Sequence, residues 1–180
     1  MERLFGKRLI FKRDIEIIYA GLFLDSLTYF ENFIEELFVN LLIADSVHPS
    51  TVVKAKHKFN STKICREIIY AGGKYVDWFP YDFTIKRAEI FLKNGKPFTN
   101  LDNPDRKILT QIFYIRNAIA HKSRHSIKMF NKHVVEGLIL MPREKTPSGF
   151  LRSLFAMAPP QTRYQYYISQ IVYMSRKLYH

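Results

Sequence analysis

Arg116, Asn117 and His121 stand within six residues of one another, inside a stretch that carries no acid from Arg106 to Val135. An imidazole titrates close to neutrality and can move protons, and a guanidinium presents a fixed fork of donors that suits a phosphate. The same stretch adds Arg106, Lys107, Lys122, Arg124, Lys128 and Lys132, with His125 and His133 among them. Such a field draws phosphate oxygens and turns the trio toward chemistry on a polyanion. The plainer alternative is a core arginine followed by a histidine that sits at a helix C-terminus because the dipole favours a cation there. The residues by themselves leave both readings open.

Composition points the same way. The chain has 180 residues, a length suited to one domain, and its 47% hydrophobic content excludes a disordered polymer. A formal charge of +12 calls for an anionic partner, with RNA or DNA ahead of an anionic membrane surface. The one cysteine, Cys65, has no partner for an intrachain disulfide and falls among Ile64, Ile68 and Ile69, where a packed thiol is expected. Residues 1–13 read as a basic extension, with Arg3, Lys7, Arg8, Lys12 and Arg13 and no apolar run or small-residue cleavage site of a secretory signal. The greasiest segment, Phe33 to Ala44, contains Glu35, Glu36 and Asn40, which opposes a membrane span. A cytoplasmic protein with no membrane partner is therefore expected.

The elements that must position the trio are helical. From Asp14 to about Ala44, Ile15, Ile18, Leu22, Phe30, Phe33, Leu37 and Leu41 recur at helical spacing, giving one long helix or two with a bend at Gly21. A polar loop from Ser46 to Asn60 follows, then a short helix capped by Ser61 and stopped at Gly72 and Gly73. Those glycines lack the spacing of a phosphate-binding loop. Tyr81 to Lys93 reads as a helix closed by Asn94 and Gly95. Asn103-Pro104-Asp105 marks the clearest helix start, running to about His121, with Asn103 as the expected cap. Ser126 is expected to cap a short helix ending at Gly137, Leu138 to Pro160 to be mostly loop, and Thr162 to Leu178 to be the last helix. No strand alternation stands out. The expected fold class is all-α, an antiparallel bundle of five to six helices with one long loop before the last.

On the helix from Asn103, Ile108, Ile112, Ile115 and Ile119 form a core-facing stripe, and Thr110, Tyr114, Asn117 and His121 a polar one. Arg116 lies between the stripes, so its stem is expected to be buried and its head aimed at a specific partner. On an ideal wheel Arg116 and His121 are ~140° apart, and they converge only if the helix ends or bends there. His121, His125 and His133 have spacing that suits zinc, but no carboxylate or second cysteine accompanies them and the surrounding cations oppose a metal. No metal or cofactor is therefore expected. Tyr164, Tyr166, Tyr167 and Tyr173, interleaved with Arg163 and Arg176, admit both a base-stacking and a core reading.

The run Arg116-Asn117-Ala118-Ile119-Ala120-His121 resembles the Arg-Asn-x-x-x-His signature of the HEPN domains, small helical bundles of toxin-antitoxin, phage-defence and RNA-processing systems. Tyr29-Phe30-Glu31-Asn32-Phe33-Ile34 is similar to the aromatic-Glu-x-Phe pattern of their RiboL-PSP branch. Pro147-Ser148-Gly149-Phe150-Leu151-Arg152 and Thr162-Arg163-Tyr164 resemble that branch's loop and last helix, so the likeness extends from about Asp14 to Leu178.

The resemblance implies a single domain over residues 1–180 and a metal-independent endoribonuclease, a toxin or defence effector, acting from a cleft shared by a homodimer. It implies that Arg116 clamps the scissile phosphate, His121 moves the 2′-hydroxyl proton and Asn117 orients the site. Glu31 is then the candidate that holds Arg116 or polarises His121. Lys122, Arg124, His125 and Lys128 are the candidate RNA-binding residues. Ser123 departs from the pattern: toxins of this group neutralised by nucleotidyl transfer carry a tyrosine two places after the histidine. That opposes a nucleotidyltransferase antitoxin and leaves room for an antitoxin protein of another type. The competing class is a non-catalytic HEPN-like module that binds RNA or a protein, with Arg116 and His121 serving the fold or a dimer contact.

Overall fold

A computed structural model describes residue 3 and residues 6–43 and 53–180. The part of the expected polar loop before Val53, the helix end expected at Ala44, and positions 1, 2, 4 and 5 of the basic extension lie outside the described residues.

The described chain is mostly helical, as expected: α1 (Lys12–Leu42), α2 (Thr62–Tyr70), α3 (Tyr81–Phe91), α4 (Asn103–His121), α5 (Arg124–Phe130), α6 (Pro147–Arg152) and α7 (Arg163–Tyr179), with one small antiparallel hairpin, β1 (Leu154–Met157) and β2 (Pro160–Thr162). None of the described helices is long and apolar enough to cross a membrane. The chain divides into two compact units, residues 1–28 with 111–170, and residues 29–110 with 171–180. α1, α4 and α7 each run through both.

α1 is one helix, past Gly21 without a break. Ile15, Tyr19, Phe23, Leu27, Phe30, Ile34 and Phe38 are all buried, a spacing of four, four, four, three, four and four that keeps one stripe on the core. Asp14 secures its start by accepting from the Phe11 amide at 2.9 Å.

In the second unit Phe38 is the hub, with ring centroids 5.3 Å from Trp78, 5.3 Å from Phe98 and 6.0 Å from Phe91. Glu35 is half-buried because it is fully occupied: Arg66 pairs with it, the Tyr70 hydroxyl donates at 2.7 Å and the Trp78 indole at 3.3 Å. Ser61 caps α2 by accepting from the Ile64 amide, and Ala71 (φ 49°) and Gly72 (φ 81°) end it in the left-handed region. Cys65 is buried, and burial pushes its thiol pKa up, away from a nucleophile.

α4 begins one residue earlier than its sequence suggests. The cap is Asp102, not Asn103: Asp102 accepts from the Asp105 amide at 3.0 Å while Asp105 accepts from the Asp102 amide at 3.2 Å. The two carboxylates thus form a reciprocal box, with Pro104 in the first turn where it loses no hydrogen bond. Lys177 of α7 locks it, with Nζ 2.9 Å from Asp102 and 2.7 Å from Asp105.

The first unit packs Phe23, Phe150 and Tyr167 together, with Phe130 edge-on to Phe150 at 5.7 Å. Of the tyrosines of α7, Tyr167 is core and donates to Gln111 at 3.1 Å, and Tyr173 is exposed. The segment expected to be mostly loop is structured. Pro142 and Pro147 each open a helical turn, Pro142–Lys145 and α6, and Thr146 caps α6 by accepting from the Gly149 amide at 3.2 Å. Prolines that read as breakers act here as first-turn residues, where the missing N–H is not needed. A Cβ on Gly149 would stand 2.0 Å from the Arg143 carbonyl oxygen, so only glycine fits. The hairpin in the same segment escapes period-two reading because its strands have four and three residues.

Candidate nucleic-acid site at the end of α4

His121 is the last residue of α4. Lys122 follows with φ 49°, a left-handed conformation that turns the chain out of the helix. Ser123 then accepts from the Ser126 amide at 3.1 Å and caps α5. The cap is therefore Ser123 and not Ser126, whose side chain is buried behind it.

The helix end brings together residues that its wheel separates. Arg116 Nη1 donates to Asn117 Oδ1 at 3.0 Å and stands 3.5 Å from His121 Nε2. Its long side chain spans the final turn of α4. Arg116 and Asn117 are half-buried and His121 is exposed, so a rigid donor and a solvent-facing imidazole share one edge. At 3.5 Å the Arg116–His121 contact is at the outer limit of a hydrogen bond, and Nε2 can accept only while it carries no proton.

Lys122, Arg124, His125 and Lys128 are all exposed immediately beyond the trio. Glu31 is half-buried on α1 in the second unit. Among the described residues no three His, Cys, Asp or Glu side chains gather as a metal site. His133 is engaged elsewhere: its ring stacks on Tyr114 with centroids 4.4 Å apart and planes 11° from parallel.

That stack is what sequence reasoning missed. It is made by a wide turn, Asn131–Val135, closed by the Glu136 amide on the Asn131 carbonyl at 2.8 Å, one residue wider than an α-helical turn. Helical periodicity cannot anticipate such a shift. A cavity of about 500 Å³ in the same unit is lined by Lys12, Glu16, Arg143, Glu144 and Arg152 and does not include the trio. Its charges are mixed, and Lys12 is already 3.4 Å from Glu16, so the geometry at the end of α4 carries more chemical direction than the cavity. No family model, curated protein or solved structure matches this chain.

Proposed function

We propose that the protein is a metal-independent endoribonuclease of HEPN type, a toxin or phage-defence effector, whose cutting site is Arg116, Asn117 and His121. The observation that supports it is the approach of Arg116 Nη1 to His121 Nε2 at 3.5 Å, on an exposed edge flanked by cations. An arginine that donates to Asn117 keeps further N–H donors for a phosphate, and a neutral imidazole beside it can take a proton through Nε2 once substrate displaces the arginine contact.

In this mechanism His121 Nε2 removes the proton of a 2′-hydroxyl, and the 2′-oxygen attacks the adjacent phosphorus. Arg116 balances the charge that builds on the non-bridging oxygens. The bond from phosphorus to the 5′-oxygen breaks, and the imidazolium returns its proton to that oxygen. One strand is left with a cyclic 2′,3′-phosphate and the other with a 5′-hydroxyl. Lys122, Arg124, His125 and Lys128 hold the flanking phosphates. A second copy of the chain completes the cleft. A protein antitoxin and a cytoplasmic setting belong to the same reading.

The second reading is a non-catalytic module, favoured by the helix-ending role that Lys122 and Ser123 already give this segment. Incubating the purified protein with total RNA, beside His121→Ala and with EDTA present, separates the two. Cutting that survives EDTA and vanishes in the variant supports the nuclease, and intact RNA in every lane overturns it.

A further inference from the structure

We infer that the Tyr114–His133 stack is a platform for a nucleobase of single-stranded RNA, close to the scissile phosphate. The inference rests on the nuclease reading for the identity of the polymer and deepens it by naming where a base is held.

Three observations carry it. The two rings are nearly parallel at 4.4 Å, and His133 is exposed, so one imidazole face lies on Tyr114 while the residue remains open to solvent. Aromatic pairs that serve the core of this unit are buried, as Phe130 and Phe150 are. A displayed stack gains little from packing and leaves a flat surface of the kind on which any base can lie. The second observation is the wide turn at Asn131–Val135, which brings His133 to Tyr114; such insertions concentrate at functional positions.

The third is location. Tyr114, Asn117 and His121 follow one another at three and four residues and share a face of α4. Seven residues separate Tyr114 from His121, about 10 Å along the axis. That distance corresponds to about three nucleotides at the ~3.4 Å rise of a stacked strand, and to fewer in an extended one. Lys128 and Lys132 are exposed on the same segment, and no acid occurs from Arg106 to Val135. A strand that places a phosphate at Arg116 thus has a base within reach of His133.

The test is fluorescence anisotropy with a labelled single-stranded 2′-fluoro RNA, which cannot be cut through a 2′-hydroxyl, and with a series of the same oligonucleotide carrying one abasic site moved along its length. In the unmodified protein one abasic position should weaken binding roughly 5- to 150-fold, the range of one base–aromatic stack. His133→Ala should weaken the intact oligonucleotide by a similar factor and lose sensitivity at that position, and His133→Trp should restore both. Phe155→Ala, which opens a near-parallel pair with Tyr166 at 3.9 Å in the same unit, should change neither. Unaltered affinity in His133→Ala, or an abasic profile that persists in it, overturns the platform. Binding with this profile but no cutting of ordinary RNA overturns the nuclease and leaves the platform standing. Absence of binding overturns both.

Discussion

Arg116 Nη1 stands 3.5 Å from His121 Nε2, and because a guanidinium only donates, the pair is a hydrogen bond only when that nitrogen carries no proton. In the proposed reaction that nitrogen is the proton acceptor. His121→Ala should therefore lose about 10²- to 10⁴-fold in cleavage rate while keeping most of its affinity for RNA. Arg116→Ala should lose rate and some affinity, because it touches the phosphate in the ground state as well. Single-turnover cleavage and binding, measured side by side, check both. Restoration of lost activity by a divalent ion would falsify the mechanism.

Salt should act strongly on binding. Each phosphate neutralised on a single strand contributes about 0.7 to the slope of log K against log salt. Replacing Lys122, Arg124 and Lys128, all exposed, with serine should flatten that slope by roughly 2 units. An unchanged slope would place the RNA on another surface.

The Ser123 hydroxyl is committed to capping α5, where it accepts from the Ser126 amide. Ser123→Ala should lower stability by about 0.5–2 kcal/mol, read as a fall in melting temperature. Ser123→Asp should retain most of it, since a carboxylate caps equally well.

The Asp102–Asp105–Lys177 lock sets an acid limb of stability. The Asp105 amide, then Lys177, hold the Asp102 carboxyl below its ordinary pKa. A depressed folded-state value contributes stability that is present above the unfolded pKa of ~3.9 and lost as pH falls through the lower folded value. Hydrogen bonds from Lys177 to Asp105 and Asp102 raise the ammonium pKa, so its share is complete below ~10.4 and is lost only at higher pH. Denaturant midpoints of Asp102→Asn between pH 5 and 2 should fall less steeply than those of the parent. A parallel fall would show that the lock does not act through this carboxylate.

One chain supplies one Arg116 and one His121, and a shared two-fold cleft supplies two of each. Sedimentation at micromolar concentration should give a dimer. A fully active monomer would remove the partner from the site.

Much of this fold is legible without coordinates, because α1 and α4 carry apolar residues at helical spacing over 31 and 19 residues. The approach of Arg116 to His121 was legible as a condition, met because the helix stops at His121. Cap identity was not: Asp102 and Asn103 are adjacent and both cap well, and only the answering carboxylate of Asp105 distinguishes them. Ser123 and Ser126 pose the same ambiguity. The region after Leu138 misled because a proline marks a break from one side and a helix start from the other. The Tyr114–His133 stack needed tertiary information, since its residues are 19 apart and the turn between them breaks periodicity.

The wide turn at Asn131–Val135 makes the length of this segment matter more than its letters. Val134 and Val135, the two residues after His133, are buried. If one residue were removed and the turn tightened to an α-helical one, everything beyond it would rotate by about 100°. His133 would leave Tyr114 in the same step that drew both valines from the core, forfeiting about 1.5–3 kcal/mol for each side chain exposed. Substitutions at 133 should thus be cheap, while single-residue deletions from 131 to 133 should unfold the segment. The spacing between the histidine and the two valines is fixed by the core, even though the histidine itself faces water.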